Sequence, residues 1–252
     1  MAQEIFQRYE KKYLLTKEQY LDLMCELVKW MYADDYGQHT ISNIYFDTDN
    51  YELIRQSIQK PAYKEKVRMR GYGKIDDNST VFIELKKKFA GIVYKRRVSM
   101  TQAEARAYLQ DGVWPEGGNR QILKEIDYTI GRYQLKPKVY LAYDRMAFVG
   151  KENSDLRVTF DRNIRCRDWD VSLLPGQMNV PLLEDEQVLM EVKIPGAMPM
   201  WMCKVFSQCK IYPVSFSKYG TYYQRYLYQD VETEAVMLKQ EYAVNGGKFS
   251  YA

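Results

Sequence analysis

Histidine is nearly missing from this chain, which has one, His39, among 252 residues. That excludes a His-rich zinc site and argues against Ser-His or Cys-His nucleophilic catalysis, since a single imidazole would have to serve every role. A lone ring ahead of a strand reads as structural, and any metal would be a hard cation held by carboxylate oxygen. Cysteine is scarce too, and Cys25, Cys166, Cys203 and Cys209 form no C-x-x-C pair. The opening "MAQEIFQRYEKKY" has no signal-like apolar run, so the expectation is a reduced, cytoplasmic protein. No stretch approaches the ~18–20 apolar residues of a membrane span. Work at a membrane would need a membrane-protein partner that this chain does not encode. Neither GxxxxGK[ST] nor GxGxxG occurs, so P-loop and dinucleotide folds find no support.

Charge is present in abundance, but unevenly. The total is +4. Between Lys64 and Arg97 eleven Lys/Arg face four Asp/Glu, a local net of +7 that leaves the remainder at −3. A basic segment of this kind marks a localised site for an anionic partner. With 46% hydrophobic residues the chain can also bury a sizeable core, and 23 tyrosines supply apolar bodies with polar tips.

Helices are signalled by caps and by 3.6-residue periodicity. Thr16 with Gln19 forms a capping box ahead of an apolar stripe of Tyr20, Leu23, Met24, Leu27, Val28 and Met31. Thr101 with Glu104 repeats the signature for a helix to about Leu109. Asn119 opens another, Pro199 begins a helix over 198–210, and 217–229 reads as the last. Residues from about 230 onward are more polar and read as a tail beyond a single domain over 1–229.

The strands share one pattern. In "KEKVRMRGYG" (64–73) alternation puts Lys64, Lys66, Arg68 and Arg70 on one face and Glu65, Val67 and Met69 on the other. "TVFIELKKKF" sets Phe82, Glu84, Lys86 and Lys88 against Val81, Ile83, Leu85 and Phe89, interrupted by Lys87, and "IVYKRRVSM" sets Val93, Lys95, Arg97 and Ser99 against Ile92, Tyr94, Arg96, Val98 and Met100. Similar faces carry Arg145, then Arg157 with Thr159 and Asp161, then Glu191 with Lys193. A solvated sheet face would intersperse acids, because like charges opposite one another cost ~1 kcal/mol per pair in water and more in a less polar site. A cationic lining that holds an anion with many oxygens tolerates the clustering. The architecture expected is α+β, an antiparallel barrel with charge inside and helices outside.

Arg matches phosphate oxygens bidentately and Lys adds point charges. Arg68, Arg70, Arg97, Arg145 and Arg157 with Lys66, Lys86 and Lys95 suit a chain of phosphates, and Lys193 joins that face. Nucleic acid is not expected, because the aromatics fall mainly on the apolar faces. Glu191 is the exception in this lining. It either holds Mg²⁺ or Mn²⁺ against phosphate oxygens or neutralises its cationic neighbours, and Glu10 invites the same two readings. Glu84 leans toward ion pairing.

Nine motifs, "RYEKKY", "SNIYFDT", "KVRMRGYG", "FIELKKK", "YKRRV", "YDRMAF", "LRVTFD", "MEVKI" and "SFSKYG", occur in the order found in the VTC domain. The chain resembles that family over roughly residues 5–228. VTC domains are the polyphosphate polymerase domains of the vacuolar transporter chaperone complex and belong to the triphosphate tunnel metalloenzyme (CYTH-like) superfamily. The resemblance implies an eight-stranded antiparallel tunnel barrel that binds triphosphate or polyphosphate with a divalent metal and moves the γ-phosphate of ATP, or another nucleoside triphosphate, onto a growing chain. By motif it makes Arg68, Arg70, Lys86, Lys95, Arg145 and Arg157 phosphate ligands, Lys12 a residue of the tunnel end, Lys218 a tunnel lysine and Glu191 the metal ligand. Two departures stand out. Arg8 replaces the first Glu of the superfamily's ExExK signature, which tells against simple hydrolysis, and Ser215 stands where a second lysine is common. The rival readings are a tunnel triphosphatase and a non-catalytic polyphosphate-binding module.

Overall fold

The computed structural model describes residues 9–90, 92–174, 178–194 and 196–228. Arg8 and the tail from 230 lie outside the described residues. Strands are β1 (Tyr9–Leu15), β2 (Met31–Ala33), β3 (His39–Asp47), β4 (Tyr63–Tyr72), β5 (Thr80–Phe89), β6 (Ile92–Thr101), β7 (Lys136–Gly150), β8 (Arg157–Arg167), β9 (Val180–Pro181), β10 (Val188–Ile194) and β11 (Pro213–Val214). Helices are α1 (Lys17–Trp30), α2 (Glu52–Ile58), α3 (Gln102–Asp111), α4 (Arg120–Tyr133), α5 (Met200–Gln208) and α6 (Lys218–Tyr222), the last running into a π-turn over Tyr223–Leu227.

All strands join one antiparallel sheet in the order β11-β1-β10-β8-β7-β3-β4-β5-β6, with β2 on β7 and β9 on β8. The expected eight-stranded closed barrel is therefore corrected to an eleven-stranded open sheet. Closure fails at two poor edges. On β6 the run Ile92–Arg97 is exposed throughout, and β11 offers two residues, of which Pro213 has no N–H to donate. The sheet still curls, since β6 and β1, far apart in strand order, contribute Val93 and Lys12 to one cavity.

Alternation on the strands sorts the two faces as their patterns require. Val81, Ile83 and Leu85 of β5 are fully buried and pack with Val98, Met100, Leu123 and Ile126 beneath α3 and α4. Val158, Phe160, Met190 and Val192 pack beneath α1 and α5. Both capping boxes form, Thr16 with Gln19 and Thr101 with Glu104. Val28 is exposed, so the α1 stripe is narrower than its sequence implies.

Helix α6 is not on the outside, and α2 lines the lysine-end cavity beside it through Ile54, Ser57 and Ile58. On α6, Lys218 hydrogen-bonds the inward Asp161 and Tyr219 stacks on the inward Tyr45, with ring centroids 4.8 Å apart. An open, curled sheet leaves part of its concave face uncovered, and the tyrosines of α6 cover it with apolar rings whose hydroxyls can still find partners. Tyr219 donates to Asp47 at 2.9 Å and Tyr222 to Asp168 at 2.9 Å.

Candidate functional site

Strand register stacks the inward side chains in layers. Across β4, β5 and β6, Lys64 lies opposite Lys88 and Lys88 opposite Val93; next come Lys66, Lys86 and Lys95; then Arg68, Glu84 and Arg97; then Arg70, Phe82 and Ser99. β3 continues two of these layers, Tyr45 opposite Arg68 and Asn43 opposite Arg70. On the far wall Arg145 pairs with Asp161, Val149 with Arg157, Glu191 with Thr159 and with Lys12, and Lys193 with Arg157 and with Glu10. Residues from eight strands thus face one groove that changes from lysine at one end to arginine at the middle.

Two buried carboxylates hold the central cations. Glu84, 2% exposed, accepts from Arg68 Nε at 2.7 Å and pairs with Lys95 Nζ at 2.6 Å. Burial pushes its carboxyl up, yet Arg68, Arg70 and Lys95 bring it down to about 2. The lean of Glu84 toward ion pairing is thus the arrangement found. Asp161, fully buried, accepts from Arg145 Nε and Nη2 at 2.6 and 2.8 Å and from Lys218 Nζ at 2.6 Å. Burial opposes its charge and these two cations overcome that, so it stays below the usual carboxylate range. Arg70 is aimed by a third inward side chain, donating through Nε to Asn43 Oδ1 at 2.9 Å while Asn43 is fixed on Leu141 O at 3.0 Å.

Within the lysine layer Lys95 is paired with Glu84, whereas Lys66 and Lys86 carry unfavourable electrostatics. Burial and the neighbouring lysines 64, 12 and 86 lower Lys66 to about 8, against a raising contribution from Tyr45. Lys86 is lowered in the same sense, first by burial. Tyr45, raised by burial, is nevertheless brought down to about 8 by Arg68, Lys66 and Arg70. Among the described residues Lys66, Lys86 and Arg97 have no carboxylate at ion-pair distance. Lys12 reaches Phe216 O at 3.1 Å and Glu10 at 3.8 Å.

The groove opens into two cavities. One, of about 710 Å³, is lined at the lysine end by Lys12, Lys64, Lys66, Lys86, Lys88 and Ser215 among others. The other, of about 1030 Å³, includes Arg70, Arg97, Arg145, Arg157, Glu191 and Lys193. Glu10 lines the first and Glu191 the second, yet the two stand diagonally on paired strands, Glu10 opposite Lys193 and Glu191 opposite Lys12, and both act on Lys86. Burial raises the Glu191 carboxyl, and Lys12, Lys193, Arg145 and Lys218 outweigh it, keeping it ionised below the usual range. Lys193 Nζ lies 3.5 Å away. Among the described residues no three Asp, Glu, His or Cys side chains cluster as a metal cage.

Sequence reasoning missed Asn43, Tyr45, Tyr143 and the role of Asp161. Asp161 stood on the charged face of its strand, but only the register that sets it opposite Arg145 reveals the clamp. Tyr143 lies under both Arg145 and Lys218, at 5.1 and 4.4 Å from its ring centre.

The register thus gives a curled antiparallel sheet with cations on its concave face. The family model of the VTC domain matches residues 7–227, and the chain belongs to that family. The match agrees with the span of the nine motifs. The chain is 25% identical over 146 residues to the vacuolar transporter chaperone complex subunit 4 of Schizosaccharomyces pombe, an alignment covering 49% of this chain and 20% of that protein. It thus spans about a fifth of the length of that curated relative. In fold it is similar to a "putative adenylate cyclase" from Bacillus halodurans, with a TM-score of 0.53 at 18% identity, over 90% of this chain and 99% of the other. No helix among the described residues is long and apolar enough to cross a membrane.

Proposed function

We propose that this domain is a polyphosphate polymerase that transfers the γ-phosphate of ATP to a growing polyphosphate chain. The observation that carries the reading is the layered groove, in which lysines continue beyond the clamped arginines into a second cavity, Lys66 and Lys86 among them having no carboxylate at ion-pair distance among the described residues. A triphosphate needs only the central layers, whereas a lengthening chain of phosphates needs somewhere cationic to go. Arg70, Arg97, Arg145 and Arg157 would grip and align the triphosphate, with Lys95, Lys193 and Lys218 adding charge where it develops in the transition state. Lys12, Lys66 and Lys86 would hold the acceptor chain. A terminal phosphate oxygen of that chain attacks the γ-phosphorus, the bond to the bridging oxygen breaks, and ADP leaves. No protein nucleophile is required, in keeping with the single histidine.

Divalent metal fits the donor set in one form only. Glu191 is ionised, inward and close to the arginine layer, and Mg²⁺ or Mn²⁺ commonly binds through one or two carboxylates with water and substrate phosphates completing the shell. When bound there, the metal would neutralise charge on the phosphoryl group in transit. Glu10, diagonal to Glu191 on the paired strand β1, is the second carboxylate of that neighbourhood.

Incubation with ATP and Mn²⁺ tests the proposal. Long polyphosphate on a gel supports it; release of free phosphate alone assigns the tunnel triphosphatase instead; tight polyphosphate binding without turnover assigns a binding module. Arg70→Ala and Glu191→Gln are each expected to abolish chain synthesis, and normal product from either would refute the site assignment.

A further inference from the structure

Phe82 stands on the charged face of β5, and nothing in phosphoryl transfer calls for a phenyl ring there. It is opposite Arg70 in the sheet, and the Arg97 guanidinium lies 4.9 Å from its ring centre. From Phe82 a row of rings runs outward. Tyr72 meets Phe82 at 5.8 Å, His39 meets Tyr72 at 6.0 Å, and Tyr36 meets His39 at 6.2 Å. All four line the cavity that contains the arginines. The interplanar angles are 82°, 49° and 67°, so the rings meet mostly edge to face and do not bury one another's faces. Tyr36 is 81% exposed and Tyr72 40% exposed, so both rings have free surface facing solvent.

The rim also changes sign. Asp34 and Asp35 line the same cavity beside the rings, whereas the opposite mouth is edged by Lys60, Lys64 and Lys88. Carboxylates there repel additional phosphates and accept hydrogen bonds from hydroxyl and amino groups. A flat aromatic group with N–H and O–H donors, attached to a phosphate chain, matches this rim.

We infer that the Tyr36–His39–Tyr72–Phe82 row is the nucleoside subsite, where the base stacks on the exposed rings and Asp34 and Asp35 face the ribose and exocyclic donors. The inference rests on the proposed use of a nucleoside triphosphate and fixes the direction in which it enters, with the base outward and the phosphates toward Arg70 and Arg97. Stacking tolerates any base, so the subsite selects nucleotides over inorganic phosphates more than it selects one base.

Calorimetric titration of the full chain with ATP and with inorganic tripolyphosphate, without divalent metal so that no turnover intervenes, tests it. In the Tyr36→Ala/Tyr72→Ala variant ATP affinity is expected to fall about 5- to 150-fold, with tripolyphosphate affinity within twofold of wild type. Equal losses for both ligands, or no loss for ATP, would overturn the subsite while leaving the triphosphate groove intact. Wild-type protein that binds neither ligand would remove the proposed function and the subsite with it. If circular dichroism shows the double variant unfolded, Tyr36→Ala alone decides, because that ring is largely solvent-exposed; a selective ATP loss supports the subsite and an unchanged ATP affinity rejects it.

Discussion

Asp161 has no exposed surface, yet it must remain charged to satisfy three N–H donors from Arg145 and Lys218. Removing one member of a buried ion cluster generally costs about 3–5 kcal/mol, because the remaining charges lose their partner. Asp161→Asn is therefore expected to lower unfolding free energy by about that amount, with tripolyphosphate restoring part of it by supplying anionic oxygens to the same cations. Urea unfolding with and without tripolyphosphate measures both, and an unaltered midpoint would show that the clamp is not structural. Because the folded pKa of Asp161 lies below its unfolded value, its contribution is full above the unfolded pKa and disappears as pH falls through the folded one. Lys66 has a slope of the same sign in a different pH window and for a different reason, since burial and its cationic neighbours penalise the charged form. Lys66 is lowered to about 8, so between pH 8 and the ordinary lysine range the unfolded chain holds more protons than the folded one, and stability rises with pH. Phosphate binding weakens over the same interval as the ammonium charge is lost. Tripolyphosphate affinity should thus fall from pH 7 to pH 9, and less steeply in Lys66→Arg, whose charge persists; identical slopes would place the titrating group elsewhere.

Among the elements, those whose caps lie next to their first turn were legible in sequence. Thr16, Thr101 and Asn119 each accept N–H bonds from the turn they open. α2 was not legible, because its N-terminus is satisfied by Asp47, whose carboxylate accepts from Thr48, Leu53 and Ile54 across a left-handed Tyr51. The acceptor lies six and seven residues before the donors Leu53 and Ile54, farther than the two- or three-residue spacing of a capping signature. The same carboxylate accepts from the Tyr219 hydroxyl, so Asp47 joins α2 to α6 and thereby sets Lys218. Asp47→Ala removes a helix cap worth about 0.5–2 kcal/mol and leaves a buried hydroxyl unpaired at about 1–3 kcal/mol. A lowered melting temperature together with weaker tripolyphosphate binding is expected. Destabilisation with unchanged binding would mean that α6 keeps its place without this link. The inward-facing cations were readable for a different reason, since alternation assigns a face from sequence alone. The pairing of Asp161 with Arg145 was not, because strand partners sixteen residues apart in sequence acquire their register only in the folded sheet.

At the scale of the whole molecule the charged interior was legible and closure was not, since closure depends on whether two edges far apart in sequence find partners. The open sheet has a physical consequence. Lys12, Lys64, Lys66 and Lys86 at one end and Arg70, Arg97, Arg145 and Arg157 at the other repel one another within a groove that holds few carboxylates, and they do so without a continuous hydrogen-bonded ladder to resist. Anions that bridge both ends relieve this repulsion and stabilise the fold by linkage. Residues 64 to 70 of β4 cover ~20 Å at strand rise, so a long phosphate chain meets more of the layers than three phosphates do. Long-chain polyphosphate is therefore expected to raise the melting temperature more than tripolyphosphate at equal phosphate concentration, and moderate salt should diminish the difference because the exposed lysine end is screened most. Equal shifts for the two lengths would confine binding to the arginine end and favour a site built for triphosphate alone. A length effect that persists undiminished at high salt would require contacts other than charge along the groove.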